Sequence, residues 1–299
     1  MISIIVSTYR KNFYVELIQN IAETIGETQY EVVPIENDGQ FSICEAYNKG
    51  AEKSKYDYLL FIHEDVEFET RGWGKILTEK YFTLPNCGIL GLAGNRKKFH
   101  LPGGVNSGLA QSTLLFLRHK GEVKKAYEIY DDSPIQVKVV DGVFLAMKRE
   151  VWKKLKFDET IKGFHFYDID ISLRAAEIYQ NYLIHDFYFV HFSKGNFGKE
   201  WLQTCIKFNK RNFYKFDNPT KLEIEQIQKY WYTRLFDEKI SFYLRLLFVL
   251  NMKFNRLSIK YAIHFLIKNK QVWKFAKKVK SFFKIVKNNC ELKKFNVIL

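Results

Sequence analysis

The sequence predicts an α/β fold: a mixed, mainly parallel sheet flanked by helices, with a helical extension at the C-terminal side. Three observations predict it. A β-branched run opens the chain, strand-like and helix-like patterns alternate over the first 62 residues, and beyond about Lys221 only helical periodicity remains. Residues 2–7 are that opening run, closed by a polar turn, and Phe13, Leu17, Ile18, Ile21 and Ile25 then recur at helical spacing. A strand therefore feeds a helix. Residues 30–35 make a second strand, 43–53 a second helix, and 58–62 (Tyr-Leu-Leu-Phe-Ile) a wholly apolar third strand that ends in His63, Glu64 and Asp65. This β-α-β-α-β order implies parallel strands joined by right-handed crossovers. Further strands are expected at 88–92, 113–118, 137–147 and 182–192, and helices at 150–155, 170–178 and 199–213. No repeat or low-complexity linker interrupts the chain. We expect an α/β domain over residues 1–220 and a basic helical subdomain over 221–299.

The 299 residues are enough to bury a sizeable core, and 47% hydrophobic with 27% charged residues is the composition of an ordinary globular chain. Extensive disorder is excluded. No stretch reaches the roughly 18 apolar residues of a membrane span. The first residues also lack the basic leader and cleavage site of a signal peptide, so a cytoplasmic location is expected. Cys44, Cys87, Cys205 and Cys290 lie far apart, with no zinc or redox spacing. They read as incidental thiols in a reducing compartment.

The net charge of +14 is unevenly placed: residues 239–299 hold 15 Lys or Arg against one acid, Glu291, leaving 32 of each sign in residues 1–238. Such a segment is drawn to phosphate-bearing surfaces. Over residues 272–286, Val272, Ala276, Val279, Phe283 and Val286 recur at helical spacing, with lysines on the remaining arc. This basic amphipathic helix either lies on an anionic membrane, as at the inner face of the plasma membrane, or packs its apolar stripe on the main domain. No nucleic-acid-binding motif accompanies the charge.

In open parallel sheets ligands bind beyond the carboxyl ends of the strands. Those ends carry Ser7, Thr8, Tyr9 and Arg10, then Glu36, Asn37 and Asp38, then His63, Glu64 and Asp65. An apolar strand that delivers an imidazole and carboxylates to the sheet edge suits a divalent cation, and oxygen ligands suit Mg²⁺ or Mn²⁺. A second acidic group, Asp168 and Asp170, precedes Arg174, and a second imidazole, His191, ends a later strand. The remaining histidines, His100, His119, His165, His185 and His264, show no partner pattern and are expected to be structural or superficial. Residues 103–108 (Gly-Gly-Val-Asn-Ser-Gly) fit no phosphate-binding loop and read as a flexible segment able to close over substrate. Trp201, after a loop at 194–198, is a candidate for an acceptor cleft. Dinucleotide fingerprints, hydrolase elbows and zinc-protease motifs are absent.

The ordered series resembles family 2-like glycosyltransferases of the GT-A (Rossmann-like) fold. It consists of residues 2–9 (Ile-Ser-Ile-Ile-Val-Ser-Thr-Tyr), 46–51 (Ala-Tyr-Asn-Lys-Gly-Ala), 61–66 (Phe-Ile-His-Glu-Asp-Val), 142–149 (Gly-Val-Phe-Leu-Ala-Met-Lys-Arg), 157–159 (Phe-Asp-Glu), 167–174 (Tyr-Asp-Ile-Asp-Ile-Ser-Leu-Arg) and 190–192 (Val-His-Phe). The resemblance implies that Thr8, Tyr9 and Asp38, with Asn48, His63 and Glu64, hold a nucleotide-sugar donor. It implies that Asp65 and His191 hold Mn²⁺ or Mg²⁺, and that Asp168 is the base of an inverting transfer. Asp170 and Arg174 would secure the helix start. Two positions depart from the family pattern: His63 stands where the metal-binding triplet begins with an acid, and Tyr167 where many relatives have Glu. The glutamine-x-x-arginine-tryptophan motif of processive synthases is absent, which favours addition of one sugar at a time.

The chemistry expected of these residue types is a single displacement. A cation at Asp65 stabilises the departing diphosphate while Asp168 takes the proton of the attacking acceptor hydroxyl. The expected activity is non-processive transfer from a nucleotide sugar, first of all a UDP-sugar, to a glycan or lipid-linked acceptor. Richness in Lys, Phe, Ile and Asn suggests an AT-rich bacterial genome, hence cell-surface glycan synthesis. The competing reading is a non-catalytic nucleotide- or membrane-binding protein on the same scaffold.

Overall fold

A computed structural model describes residues 1–109, 111–119, 134–186, 188–193, 197–211, 214–237, 240–252 and 255–268. In chain order its elements begin β1 (Ile2–Thr8), α1 (Lys11–Thr24), β2 (Tyr30–Glu36), α2 (Ile43–Lys53), β3 (Tyr58–Ile62), β4 (Val66–Phe68) and α3 (Trp73–Lys75), which continues as a π-helical turn over Ile76–Tyr81. There follow β5 (Cys87–Gly91), β6 (Ala93–Asn95), β7 (Thr113–Leu115), β8 (Arg118–His119), β9 (Ile135–Val137), β10 (Val139–Val140), β11 (Phe144–Lys148), α4 (Arg149–Leu155), α5 (Tyr167–Ala175), β12 (Gln180–Leu183) and β13 (Phe189–His191). The helices α6 (Lys199–Asn209), α7 (Lys221–Asp237), α8 (Phe242–Leu250) and α9 (Arg256–Lys268) complete the described chain.

The central sheet has seven strands in the order β2-β1-β3-β11-β5-β12-β9. Strands β2, β1 and β3 are parallel, as are β5 and β12, whereas β11 runs against β3 and β5, and β9 against β12. The expected mixed, mainly parallel sheet is thus the one formed. Strand β1 lies between two neighbours and its apolar side chains Ile2, Ile4, Ile5 and Val6 are fully buried. A parallel strand covered on both faces is apolar at consecutive positions, and for that reason it is readable in sequence. Burying one such side chain is worth about 1.5–3 kcal/mol. Helix α2 begins at Ser42, whose hydroxyl accepts from Glu45 N while the Glu45 carboxylate accepts from Ser42 N, a reciprocal cap on two otherwise orphan donors. It packs on β1 so closely that a Cβ at Gly50 would lie 2.3 Å from Ile5 Cγ2.

The run at 137–147, expected as a strand, divides among three strands in two sheets. Val139–Val140 pairs with β6 in a three-stranded sheet β10-β6-β7, while β9 and β11 join the central sheet. A third sheet, β4-β13-β8, is built from the short strand after Asp65 and the strand ending at His191.

The chain forms two compact units, Met1–Ile227 and Gln228–Leu299. The first contains every candidate site residue. In the second, Ser241 caps α8 by accepting from Leu244 N, and Asn255 donates to the Gln228 side chain at 2.9 Å. Among the described residues no helix is long and apolar enough to cross a membrane. The basic amphipathic helix expected at 272–286 lies outside the described residues, as does Cys290. Cys44, Cys87 and Cys205 are free and buried, and burial pushes the Cys87 and Cys205 thiols up to about 12.

Candidate active site

Parallel pairing of β2, β1 and β3 brings their carboxyl ends to one edge, with Thr8 in register with Glu36 and Val6 with Ile62. The turn after β2 is held by Asn37, whose side chain bridges to Ser7 Oγ and to both backbone groups of Phe41. That turn leaves Asp38 exposed, and Tyr9 is exposed as well. The end of β1 is tied to the end of β3 by Glu64, which is 3% exposed. Its carboxylate accepts from Thr8 Oγ1 at 2.6 Å, Tyr9 N at 3.1 Å, Arg10 N at 3.2 Å and Arg10 Nε at 2.8 Å. Glu64, expected among donor ligands, is thus spent on fixing Thr8, Tyr9 and Arg10.

Strand β13 runs antiparallel to β4, which sets His191 opposite Val66, and Phe192 N donates to Asp65 O at 3.0 Å. This pairing brings Asp65 and His191 together from distant parts of the chain. His63, Asp65 and His191 each offer one ligand atom, and those atoms lie within 4.8 Å of one another. Asp65 Oδ1 is 3.5 Å from His191 Nε2, and Oδ2 is 3.1 Å from Arg10 Nη2. Burial alone would raise the Asp65 carboxyl, but its hydrogen bonds with His191 and Arg10, and the positive charge His63 and His191 carry when protonated, hold it well below the usual carboxylate range. Burial, with His191 nearby, holds His63 below the ordinary imidazole value, which favours the neutral ring with a free lone pair.

The lone pair can be located. Tyr167 has one hydroxyl hydrogen and donates it to Gly142 O at 2.9 Å, so its oxygen accepts from His63 Nε2, also at 2.9 Å. His63 then carries its proton on Nε2 and presents Nδ1 as acceptor. The two positions that depart from the family pattern are therefore in contact, one orienting the other. Two imidazoles and a carboxylate fit a first-row transition cation such as Mn²⁺ better than Mg²⁺, which prefers an all-oxygen shell.

Asp168 lies in the first turn of α5. Two residues earlier, Phe166 is held at φ +69° as its ring packs against Trp201 and Phe208. A left-handed conformation at a bulky residue costs energy and persists only where packing imposes it. Asp168 Oδ2 accepts from Gly142 N at 3.0 Å. Burial, then the like charge of Asp141, raises the Asp168 carboxyl to about 7 even though part of its surface remains accessible. Gly142 permits this arrangement: a Cβ there would lie 2.3 Å from Tyr167 Oη and 3.1 Å from Asp168 Cβ. Through Tyr167 and Gly142 the candidate cation ligands and the carboxylate of α5 form one connected set.

Asn48 belongs elsewhere. Its amide donates to Phe157 O and the Glu159 carboxylate and accepts from Trp152 Nε1 and Phe157 N, so it fastens α2 to the segment after α4 and has no capacity left for a ligand. Asp170 is fully buried, with Arg174 Nη2 at 2.6 Å and the Tyr214 hydroxyl as partners. The 103–108 segment is pinned, because Asn95 Nδ2 lies within hydrogen-bond distance of Val105 O and Ser107 Oγ, and Val105 and Ser107 are buried. His119, expected to be structural or superficial, sits in register with His191, the ring centroids 5.6 Å apart. Sequence reasoning placed Arg10 at the ligand-binding edge without giving it a role, and missed Asp141 and the close approach at Gly142. Their one sequence signal is position beside motif residues.

No curated protein sequence matches the chain. Among solved structures it is similar to S. aureus TarS 1–349, with TM-score 0.51 and 9% identity over 84% of this chain and 81% of that one. It also resembles GalNAc-T7 with UDP, GalNAc and Mn²⁺ (0.46, 10%, 70% of this chain), of whose length it spans 47%. A third likeness is to the mannosyltransferase PcManGT from Pyrobaculum calidifontis in complex with GDP-Man and Mn²⁺ (0.45, 12%, 94% and 79%). Of the three, the TarS likeness bears on the architecture, and it agrees with a GT-A sheet. A sequence profile described as a glycosyltransferase-like family matches residues 3–225, which include every ligand atom and carboxylate of the site. On that match the chain belongs to the glycosyltransferase-like family.

Proposed function

We propose that this chain is an inverting, non-processive, cation-dependent transferase that moves a sugar from a nucleotide-sugar donor to an acceptor hydroxyl. One observation carries the reading: His63, Asp65 and His191 converge within 4.8 Å, and Tyr167 and Gly142 join them to a carboxylate whose pKa lies near neutrality. His63, Asp65 and His191 would hold the cation, with Mn²⁺ favoured by the donor set. When bound, it would neutralise charge on the leaving diphosphate. Thr8, Tyr9 and Asp38 flank the donor at the ends of β1 and β2. Asp168 takes the acceptor proton, and a base near 7 is matched to that task at neutral pH, contributing about 10²–10⁴-fold. Direct attack of the acceptor oxygen as the diphosphate leaves inverts the anomeric centre.

A UDP-sugar is the first donor to test, with a glycan or lipid-linked acceptor of a bacterial cell surface. Residues 1–220 would form the transferase domain, and residues 221–299 would attach it to an anionic inner membrane surface, since the positive excess lies in 239–299. Turnover of nucleotide sugars with Mn²⁺ by the full chain, by Asp65→Asn and by Asp168→Asn tests the chemistry. Undiminished turnover in either variant removes that residue's role. Flotation with anionic and neutral liposomes tests the attachment, which is lost as a proposal if binding ignores lipid charge.

A further inference from the structure

Arg10 is a cation fixed against the very carboxylate that the cation site requires. Its backbone N and Nε are held by buried Glu64, and its guanidinium lies 4.3 Å from the Phe13 ring centroid and 5.0 Å from that of Tyr9. The other end of the fork, Nη2, reaches Asp65 Oδ2 at 3.1 Å, and the side chain is 35% exposed. The guanidinium thus has Nε tethered to Glu64 and Nη2 on Asp65, and the side chain as a whole is partly open to solvent. A cation bound by Asp65, His63 and His191 would share one carboxylate with a permanent positive charge. Like charges that close repel strongly in a partly buried site. A diphosphate would relieve that conflict, because guanidinium recognises phosphate oxygens by parallel hydrogen bonds.

We propose that Arg10 is a tethered counter-charge that holds Asp65 until the donor enters and then passes to its diphosphate, so that cation and diphosphate bind with positive coupling. The inference rests on the reading of a diphosphate-bearing donor and adds a residue to it. It assigns the site an order: a weak cation site by itself, a strong one once phosphate oxygens have drawn Arg10 away from Asp65. Coupling of this kind is reciprocal, and typical couplings are about 5–150-fold.

The test is Mn²⁺ binding to the full chain, read from the spin-resonance signal of free Mn²⁺, for the wild type, Arg10→Met, Arg10→Lys and Asp65→Asn. Each is measured without and with inorganic pyrophosphate, subtracting the Mn²⁺ that pyrophosphate holds in protein-free solution. The expected results are about tenfold tighter binding of Mn²⁺ alone by Arg10→Met, and about tenfold tightening by pyrophosphate in the wild type that shrinks to less than about threefold in Arg10→Met. Arg10→Lys keeps the charge without the fork and should remain weak for Mn²⁺ alone. If Arg10→Met binds Mn²⁺ no tighter than the wild type while Asp65→Asn loses it, the cation reading stands and this inference falls. Absence of Mn²⁺ binding from every form, pyrophosphate present or not, removes both. Should circular dichroism show Arg10→Met unfolded, the wild type decides alone, and no tightening by pyrophosphate overturns the proposal.

Discussion

The two carboxylates on which the site depends, Asp65 and Asp168, belong to the same compact unit and are pushed in opposite directions. Asp65 is buried among cations and potential cations, with Arg10, His63 and His191 around it, and stays ionised far into acid. Asp168 is buried beside a second carboxylate, Asp141, and its pKa is raised to about 7. Chemistry that needs a permanent anion and a proton acceptor at one pH requires such a separation. The same residue type acquires opposite proton affinities from its surroundings alone. Gly142 lies between the two regions, giving its N–H to Asp168 and its carbonyl to Tyr167.

The largest expected effect breaks one region and spares the other. Asp168→Asn keeps the shape and an acceptor oxygen for Gly142 N but removes the proposed base, so kcat should fall by about 10²–10⁴-fold. Its Mn²⁺ affinity should match the wild type. A parallel loss of Mn²⁺ binding would mean that the two regions are one electrostatic unit and the contrast between them is false.

Next in size is Tyr167→Phe. Without the hydroxyl, His63 loses the partner that fixes its proton on Nε2, and removal of such an outer partner typically costs about 10–100-fold in metal affinity. Nitrogen chemical shifts of His63 in the cation-free protein would report the tautomer directly. An Nδ1-protonated ring in the wild type would contradict the assignment. Asp141→Asn sharpens the comparison from the other side. It removes the like charge next to Asp168, so the acid limb of the pH–rate profile should move to lower pH with a smaller change in kcat than Asp168→Asn causes. An unmoved limb would leave burial as the sole cause of the raised value.

The same contrast explains what could be read from sequence. The strands β1 and β3 and the helix α1 were legible, since a strand buried on both faces shows a continuous apolar run and a helix shows its period. Asp65, Asp168 and His191 were legible by position, each at a strand end or helix start. What was not legible is what tunes them. Arg10 reaches Asp65 from the end of another strand, and Tyr167 reaches His63 across 104 residues, and no local pattern encodes such approaches. Asn48 shows the converse error: a polar residue in a motif reads as a ligand, whereas its hydrogen bonds hold α2 to the chain after Trp152. The division of residues 137–147 among two sheets was hidden for the related reason that β-branched runs declare strand but not partner.

The smallest expected effect is on stability, and its sign separates the two carboxylates. A folded-state value of about 7 for Asp168, against 3.8 for an ordinary aspartate, means that between about pH 4 and 7 the folded chain binds a proton that the unfolded chain releases. The contribution of Asp168 is therefore fully present below about pH 4 and is lost as pH rises through about 7. Asp65 has the reverse sign, contributing above the ordinary aspartate value and losing that contribution only in strong acid. Between about pH 5 and 8 the first changes and the second does not. Urea unfolding of the wild type and of Asp168→Asn at those two pH values isolates the contribution of this one carboxyl. The wild type should lose more stability on going to the higher pH than the variant does, by at most a few kcal/mol, since each tenfold change in proton affinity is worth about 1.4 kcal/mol. An equal loss in the two proteins would show that Asp168 titrates in the folded chain as it does in the unfolded one, and the neutral-pH base would have to be sought among other groups.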